Sequence, residues 1–178
     1  MTRQVALLRG INVGGHNKLP MAPLRAALAE LGYRDVHTHL QSGNAVFDTS
    51  ARPKRVEEQV SELIADRFGL AVPVVVRTLD EVASVVADNP LPDAAREPAV
   101  FLVMFLSAAP DPAVVDALDP AAFAPDVFRL RGREIYLHCP DGIRNSALAA
   151  FPWGKRLGLT ATARNWNTVT RLLAMLSE

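Results

Sequence analysis

Arg3-Gln4-Val5-Ala6-Leu7-Leu8, running on into Arg9-Gly10-Ile11-Asn12-Val13-Gly14-Gly15-His16-Asn17-Lys18, sets the first step of the fold, because an apolar run gives way to a loop of glycines, amides and cations. The run reads as a buried strand. Leu24, Ala27, Leu28 and Leu31 then recur at helical spacing, so the loop joins a strand to a helix. Gly10, Gly14 and Gly15 permit positive φ or a close backbone approach, Asn12 and Asn17 offer amides, and Arg9 and Lys18 offer cations. Such a loop suits an anion nest, and it equally suits a solvated strand-to-helix connection. It is no Walker loop, since two glycines four apart followed by Lys-Ser/Thr are missing, and it lacks the three-glycine dinucleotide fingerprint.

Outward from this stretch, Gly32 stands at a helix C-terminus, and Val36, Thr38 and Leu40 alternate with His37, His39 and Gln41 as a half-buried strand. Ser42-Gly43-Asn44 turns the chain into a strand over 45–48. A helix from about Pro53 carries Val56, Val60, Leu63, Ile64 and Phe68 on one stripe and ends near Gly69, before a β-branched strand over 72–77. The order is βαββαβ, the split-βαβ unit. A short helix is expected over 79–87. Asn89-Pro90-Leu91-Pro92-Asp93 then marks a boundary, giving subdomains 1–92 and 93–178.

The second half restarts with an apolar strand at 100–106, a short helix at 112–118, and strands at 127–131 and 134–139 around the hairpin turn Gly132-Arg133. Helical pieces at 143–150 and 153–157 precede a longer helix at 164–176, with Val169, Leu172, Leu173 and Leu176 inward. The expected fold class is therefore α+β: two ferredoxin-like (βαββαβ-type) subdomains, the second ending in a helix instead of a last strand.

With 178 residues and 49% hydrophobic content, the chain has the material for a substantial core. No apolar run approaches the roughly 20 residues of a membrane span, and the start lacks the apolar segment of a signal peptide, so a cytoplasmic location and no membrane partner are expected. Cys139 is the single cysteine, which excludes an internal disulfide and a multi-cysteine metal site; it ends an alternating strand, where a buried hydrophobe is the usual role. The net charge of zero conceals segregation. Residues 1–29 carry Arg3, Arg9, Lys18 and Arg25, residues 143–177 carry Arg144, Lys155, Arg156, Arg164 and Arg171, and all 19 acids lie elsewhere. If the two acid-free ends meet in space they form one positive face that favours anionic partners; otherwise they are solvated surface charge.

Two further polar clusters share this character. Gln41-Ser42-Gly43-Asn44 is an uncharged hairpin tip. The other runs from Arg144-Asn145-Ser146 through Phe151-Pro152-Trp153-Gly154-Lys155 to Thr160–Thr168. Thr162 is the expected N-cap of the last helix, which places Arg164, Asn165 and Asn167 in its first turn, where free N–H groups favour an anion. Trp153 and Trp166 beside these cations suit base stacking, or else anchor a core. His37 and His39 share a strand face as HxH zinc ligands do, but a third ligand would have to come from His16, His138 or a carboxylate and nothing fixes that geometry, so the reading is a solvent-facing strand surface without metal. No nucleophile elbow, paired-carboxylate site or zinc-protease motif occurs.

LLRGINVGGHNKLPM with LRAALAELG, LQSGNAVF, and RNSAL with TARNWNTVTRL together resemble the bacterial domain-of-unknown-function family 1697. The resemblance spans nearly the whole chain. It implies two ferredoxin-like subdomains and a signature on Arg9, Gly10, Asn12, Gly14, Gly15, Lys18, Gln41, Ser42, Gly43, Asn44, Arg164, Asn165, Trp166, Asn167 and Thr168. It implies no activity, cofactor or catalytic residue.

The leading expectation is a cytosolic binding module for an anionic ligand: a nucleotide, nucleic acid or phosphorylated metabolite. Its candidate ligand-binding residues are Arg9, Asn12, Gly14, Gly15, His16, Lys18, Gln41, Ser42, Asn44, Arg144, Lys155, Arg164, Asn165 and Asn167. One rival is a small-molecule enzyme using His16 or Ser146 in a cleft between the subdomains. The other is a structural or regulatory interaction protein, in which backbone groups inside the protein satisfy Asn12, Asn44 and Asn165.

Overall fold

β1 (Thr2–Leu8) is buried on both faces from Gln4 onward, which is why its sequence runs apolar rather than alternating. The computed structural model describes residues 1–178. After β1 come α1 (Met21–Glu30), β2 (Arg34–His39), β3 (Asn44–Thr49), α2 (Pro53–Phe68), β4 (Val74–Thr78) and α3 (Leu79–Ala87). β1 pairs antiparallel with both β3 and β4, and the sheet order is β2-β3-β1-β4, the order that a split-βαβ unit produces. Pro53 opens α2 and Gly69 closes it at φ 66, while Val56, Val60 and Ile64 on one stripe are fully buried beneath the sheet residues Ala6, Leu8, Phe47 and Val76. Glu57 lies on the same stripe because its Oε1 accepts the Val76 N–H at 3.1 Å.

The second half contains β5 (Phe101–Leu106), α4 (Pro112–Asp116), β6 (Val127–Arg131), β7 (Glu134–His138), α5 (Trp153–Leu157), β8 (Ala161–Asn165) and α6 (Trp166–Ser177). Single 3₁₀ turns stand at Pro92–Arg96 and Pro120–Phe123. Its sheet order, β6-β7-β5-β8, repeats that of the first sheet. The architecture is thus mixed α+β with two four-stranded antiparallel sheets.

The end of the second sheet departs from expectation. A last strand, β8, does form, in register with β5 through Thr162↔Phe105 and Arg164↔Val103, and α6 follows it. Thr162 is therefore not the helix cap. Asn165 is, its Oδ1 accepting the Thr168 N–H at 2.9 Å. Residues 143–150 form turns rather than regular helix.

By packing, the chain divides into one unit of Met1–Ala83 with Leu172–Glu178 and a second of Ser84–Arg171. That division falls within α3, ahead of the proline-rich stretch read as the boundary. No helix is long and apolar enough to cross a membrane.

Candidate functional site

The loop after β1 is a miniature hairpin. The His16 N–H donates to Val13 O at 3.0 Å, the Asn12 N–H donates to Asn17 O at 3.1 Å, and Gly14 and Gly15 between them both have positive φ, as a type I′ turn requires. Positive φ recurs at Gly10, Asn12, Gly14, Gly15 and Asn17, and is absent at Ile11, Val13 and His16. Asparagine is among the few side chains that tolerate this region, which accounts for its use at both feet of the hairpin.

The asparagines also hold the loop in place. Asn12 Oδ1 accepts the Leu19 N–H at 2.8 Å, and its Nδ2 donates to Leu19 O at 2.9 Å and to Gln41 O at 2.7 Å. Asn17 Nδ2 donates to Gly10 O at 3.0 Å. Asn12→Ala should cost about 2 kcal/mol, since three hydrogen bonds vanish and an alanine is left at positive φ. Urea unfolding measures this, and a loss under about 0.5 kcal/mol would show that the amide does not brace the loop.

The bond from Asn12 to Gln41 ties the loop to the β2–β3 turn, so the first two polar clusters of the sequence meet. Together they line a shallow groove of about 460 Å³ formed by Asn12, Gly15, Lys18, Leu19, Pro20 and Gln41. Gly43 is buried against Leu8 and Ile11. Asn44 is only 1% exposed and donates to His39 O at 2.8 Å and Ser42 Oγ at 3.4 Å, so it pins the turn and is not open to a ligand, contrary to its place among the candidates. Leu40, expected to point inward, is exposed and sits at φ 60.

What the loop leaves outward is charge. Arg9, His16 and Lys18 are exposed, and their side chains make no ion pair or hydrogen bond. The other early cations are engaged. Arg3 donates to Asp35 at 2.6 Å and to Asp48 at 3.4 Å, holding the Asp35 carboxyl below its ordinary range, and Arg25 donates to Thr38 Oγ1 at 2.6 Å.

In the second unit the polar cluster dissolves into structural roles. Arg164 is 7% exposed in β8, donating to Thr162 Oγ1 and Ala163 O, both at 2.8 Å, and burial pulls its guanidinium down to about 10. It is thus not presented to a solvent-borne anion. Asn165 is occupied as the α6 cap, while Asn167, Arg144 and Lys155 are exposed. Trp153 and Trp166 are 1% and 8% exposed, so neither offers a stacking face for a base. Ser146 donates to Asp126 Oδ2 at 2.6 Å, accepts the Ala149 N–H at 2.9 Å and lies 3.3 Å from Cys139 Sγ, beside a cavity of about 170 Å³. Burial pushes the Cys139 thiol up, which keeps it protonated and unreactive.

A family model described as "Protein of unknown function (DUF1697)" matches residues 1–136. The chain belongs to this family. Both the 9–18 loop and the 41–44 turn fall inside the matched segment, whereas β8 and α6 lie beyond it. Among solved structures, the conserved bacterial protein SP0830 from Streptococcus pneumoniae is similar at 24% identity, with a TM-score of 0.81, covering 100% of this chain and 99% of that one. At that identity the likeness shows the fold. No curated protein matches the sequence.

Within this DUF1697 chain His37 is exposed and its Nε2 lies 2.7 Å from Asp35 Oδ1, and no group of three or more His, Cys, Asp or Glu side chains is placed to hold a metal. Sequence reasoning missed the apolar floor of the groove, Leu19 and Pro20. The signal was their position directly after Lys18, between the loop and α1.

Proposed function

We propose that the Arg9–Lys18 loop of this DUF1697 protein is a pre-shaped receptor for an anionic ligand: a nucleotide, nucleic acid or phosphorylated metabolite. The observation that carries this reading is the alternation of φ sign from Gly10 to Gly14. Alternating handedness curls successive peptide planes so that their N–H groups converge on one side, forming a concave anion seat. The N–H groups of Gly10, Ile11, Gly14, Gly15 and Lys18 make no hydrogen bond inside the chain. Arg9 and Lys18 add unpaired positive charge beside them, and the Asn12 and Asn17 braces mean that little ordering is left to pay on binding.

Val13 and Leu40, on the same two loops, are 63% and 56% exposed, and Leu40 is held at a positive φ that a leucine seldom adopts. They favour a ligand with an apolar portion attached to its anionic group. The asparagines act as scaffold, since Asn12, Asn44 and Asn165 all bond backbone groups. Ligand contacts therefore fall to the cations, the Gln41 amide and the backbone. His16 has no side-chain partner to orient it, so binding rather than proton transfer is the role proposed for the loop.

Calorimetric titration with inorganic pyrophosphate and with a single-stranded oligonucleotide tests this. Binding that weakens steeply with added salt is expected. The Arg9→Ala/Lys18→Ala variant should bind about tenfold more weakly or worse, with the fold retained by circular dichroism. No binding of either probe at low salt, or unchanged affinity in the double variant, overturns the reading.

A further inference from the structure

Each sheet has two edge strands, and β2 and β6, which occupy the equivalent edge of their sheets, differ in kind. β2 is blunted: its register with β3 shifts between Arg34 and His37, and Asp35 there has φ 48. Such a bulge prevents another chain from continuing the ladder. β6 has no such protection. It pairs with β7 in unbroken register from Val127↔His138 to Arg131↔Glu134, and its other side has no neighbouring strand.

Which groups face that open side follows from the hairpin. The two-residue turn Gly132-Arg133 makes Arg131 and Glu134 a bonded pair, so Val127, Arg129 and Arg131 bond toward β7 and the N–H and C=O of Phe128 and Leu130 point outward. Arg129 confirms the direction, since its Nη1 donates to Phe128 O at 2.8 Å, covering an edge carbonyl that has no strand partner. Arg129 and Arg131 are exposed, two residues apart and on one face.

At the Val127 end of the strand lies a cavity of about 340 Å³, lined by Pro90, Leu91, Pro92, Ala94 and Val127, with the His138–Glu97 pair (3.1 Å) and Asp93 at its rim. Both rim carboxylates already have basic partners, Asp93 with Arg96 at 3.7 Å and Glu97 with His138, and the rest of the lining is apolar, so the cavity suits an apolar side chain and offers a carboxylate no free cation. The arginines farther along the strand do the reverse.

We propose that β6 is a docking edge for an extended acidic segment of a partner protein, which adds as a fifth strand, seats an apolar side chain in the cavity beside Val127, and places carboxylates at alternate positions against Arg129 and Arg131. Backbone bonds to Phe128 and Leu130 supply the affinity, and the pocket and arginines supply register and selectivity. On docking, the Arg129 guanidinium exchanges the Phe128 carbonyl for a partner carboxylate.

Fluorescence anisotropy with two dye-labelled extended peptides, carrying a leucine and two aspartates at alternate positions in one chain direction and in the reverse, tests the proposal on the full chain. Binding of at least one is expected, with its lysine-for-aspartate counterpart at least about tenfold weaker. R129E/R131E should lose binding. Leu130→Pro should lose it too, because it deletes an outward N–H without breaking the β6–β7 ladder. Amide hydrogen exchange gives the readout specific to strand addition: the Leu130 and Phe128 N–H groups should gain protection on binding. If no peptide binds, or if it binds while those amides stay unprotected, the proposal fails. Retained binding by Leu130→Pro, with its spectrum otherwise native, fails it equally.

Discussion

Gly43→Ala is expected to destabilise the protein by about 2–4 kcal/mol, from overpacking together with an unfavourable φ. A Cβ at this position would stand 2.6 Å from Ile11 Cδ1 and 2.9 Å from Leu8 Cβ, with φ at +89. Ile11 Cδ1 is the end of a side chain but is buried, and Leu8 Cβ is fixed to a central strand, so neither can retreat far. The strain falls on the Leu8 N–H to Gly43 O bond of 2.9 Å, which seats the turn beside the candidate loop. Gly10→Ala provides the control, because Gly10 has φ +69 but nothing within 4 Å of an added Cβ. It should lose only about 1 kcal/mol, the cost of the left-handed conformation. Urea unfolding separates the two, and equal losses would mean that the close approach at Gly43 is not what the glycine provides.

Much of the fold was legible because its punctuation is local. Pro53 and Gly69 bracket α2, and Gly132 at φ 61 turns β6 into β7, in each case through one residue whose backbone preference acts on its own neighbours. β8 was not legible, because its reading depends on what surrounds it. Arg164 and Thr162 look like solvent-facing residues next to a helix, yet both are buried, and alanines at 161 and 163 give no β-branched signal to set against them. Leu40 misled in the opposite direction: it continues the alternation of Val36 and Thr38, but the chain has already left the strand. The charge pattern was half informative. It located Arg9 and Lys18, which stay unpaired, but Arg3 finds its acids at Asp35 and Asp48, far along the chain and invisible to a count of local charge. Among the asparagines, residue type alone does not distinguish a ligand donor from a brace.

Trp153→Ala is expected to cost about 3–5 kcal/mol, the largest loss for any single truncation considered, because it leaves a void in the core of the second unit. Trp153 is 1% exposed and belongs to the same buried cluster as Leu148, Leu137 and Ala161. Its ring closes a cycle of edge-on aromatic contacts, 4.7 Å from Phe151 and 5.6 Å from Phe128, with Phe123 5.6 Å from Phe151 and 5.8 Å from Phe128. Such pairs add to the area term. The indole N–H is not left stranded by burial, since it donates to Leu148 O at 3.1 Å. Trp153→Phe keeps most of the volume and deletes that donor, so it should lose only about 1–2 kcal/mol, mainly the unsatisfied carbonyl and a small gap. Denaturant unfolding followed through the remaining Trp166 measures both variants. If Trp153→Ala costs no more than Trp153→Phe, the ring cycle is not a core element, and Trp153 returns to consideration as a residue kept for a ligand.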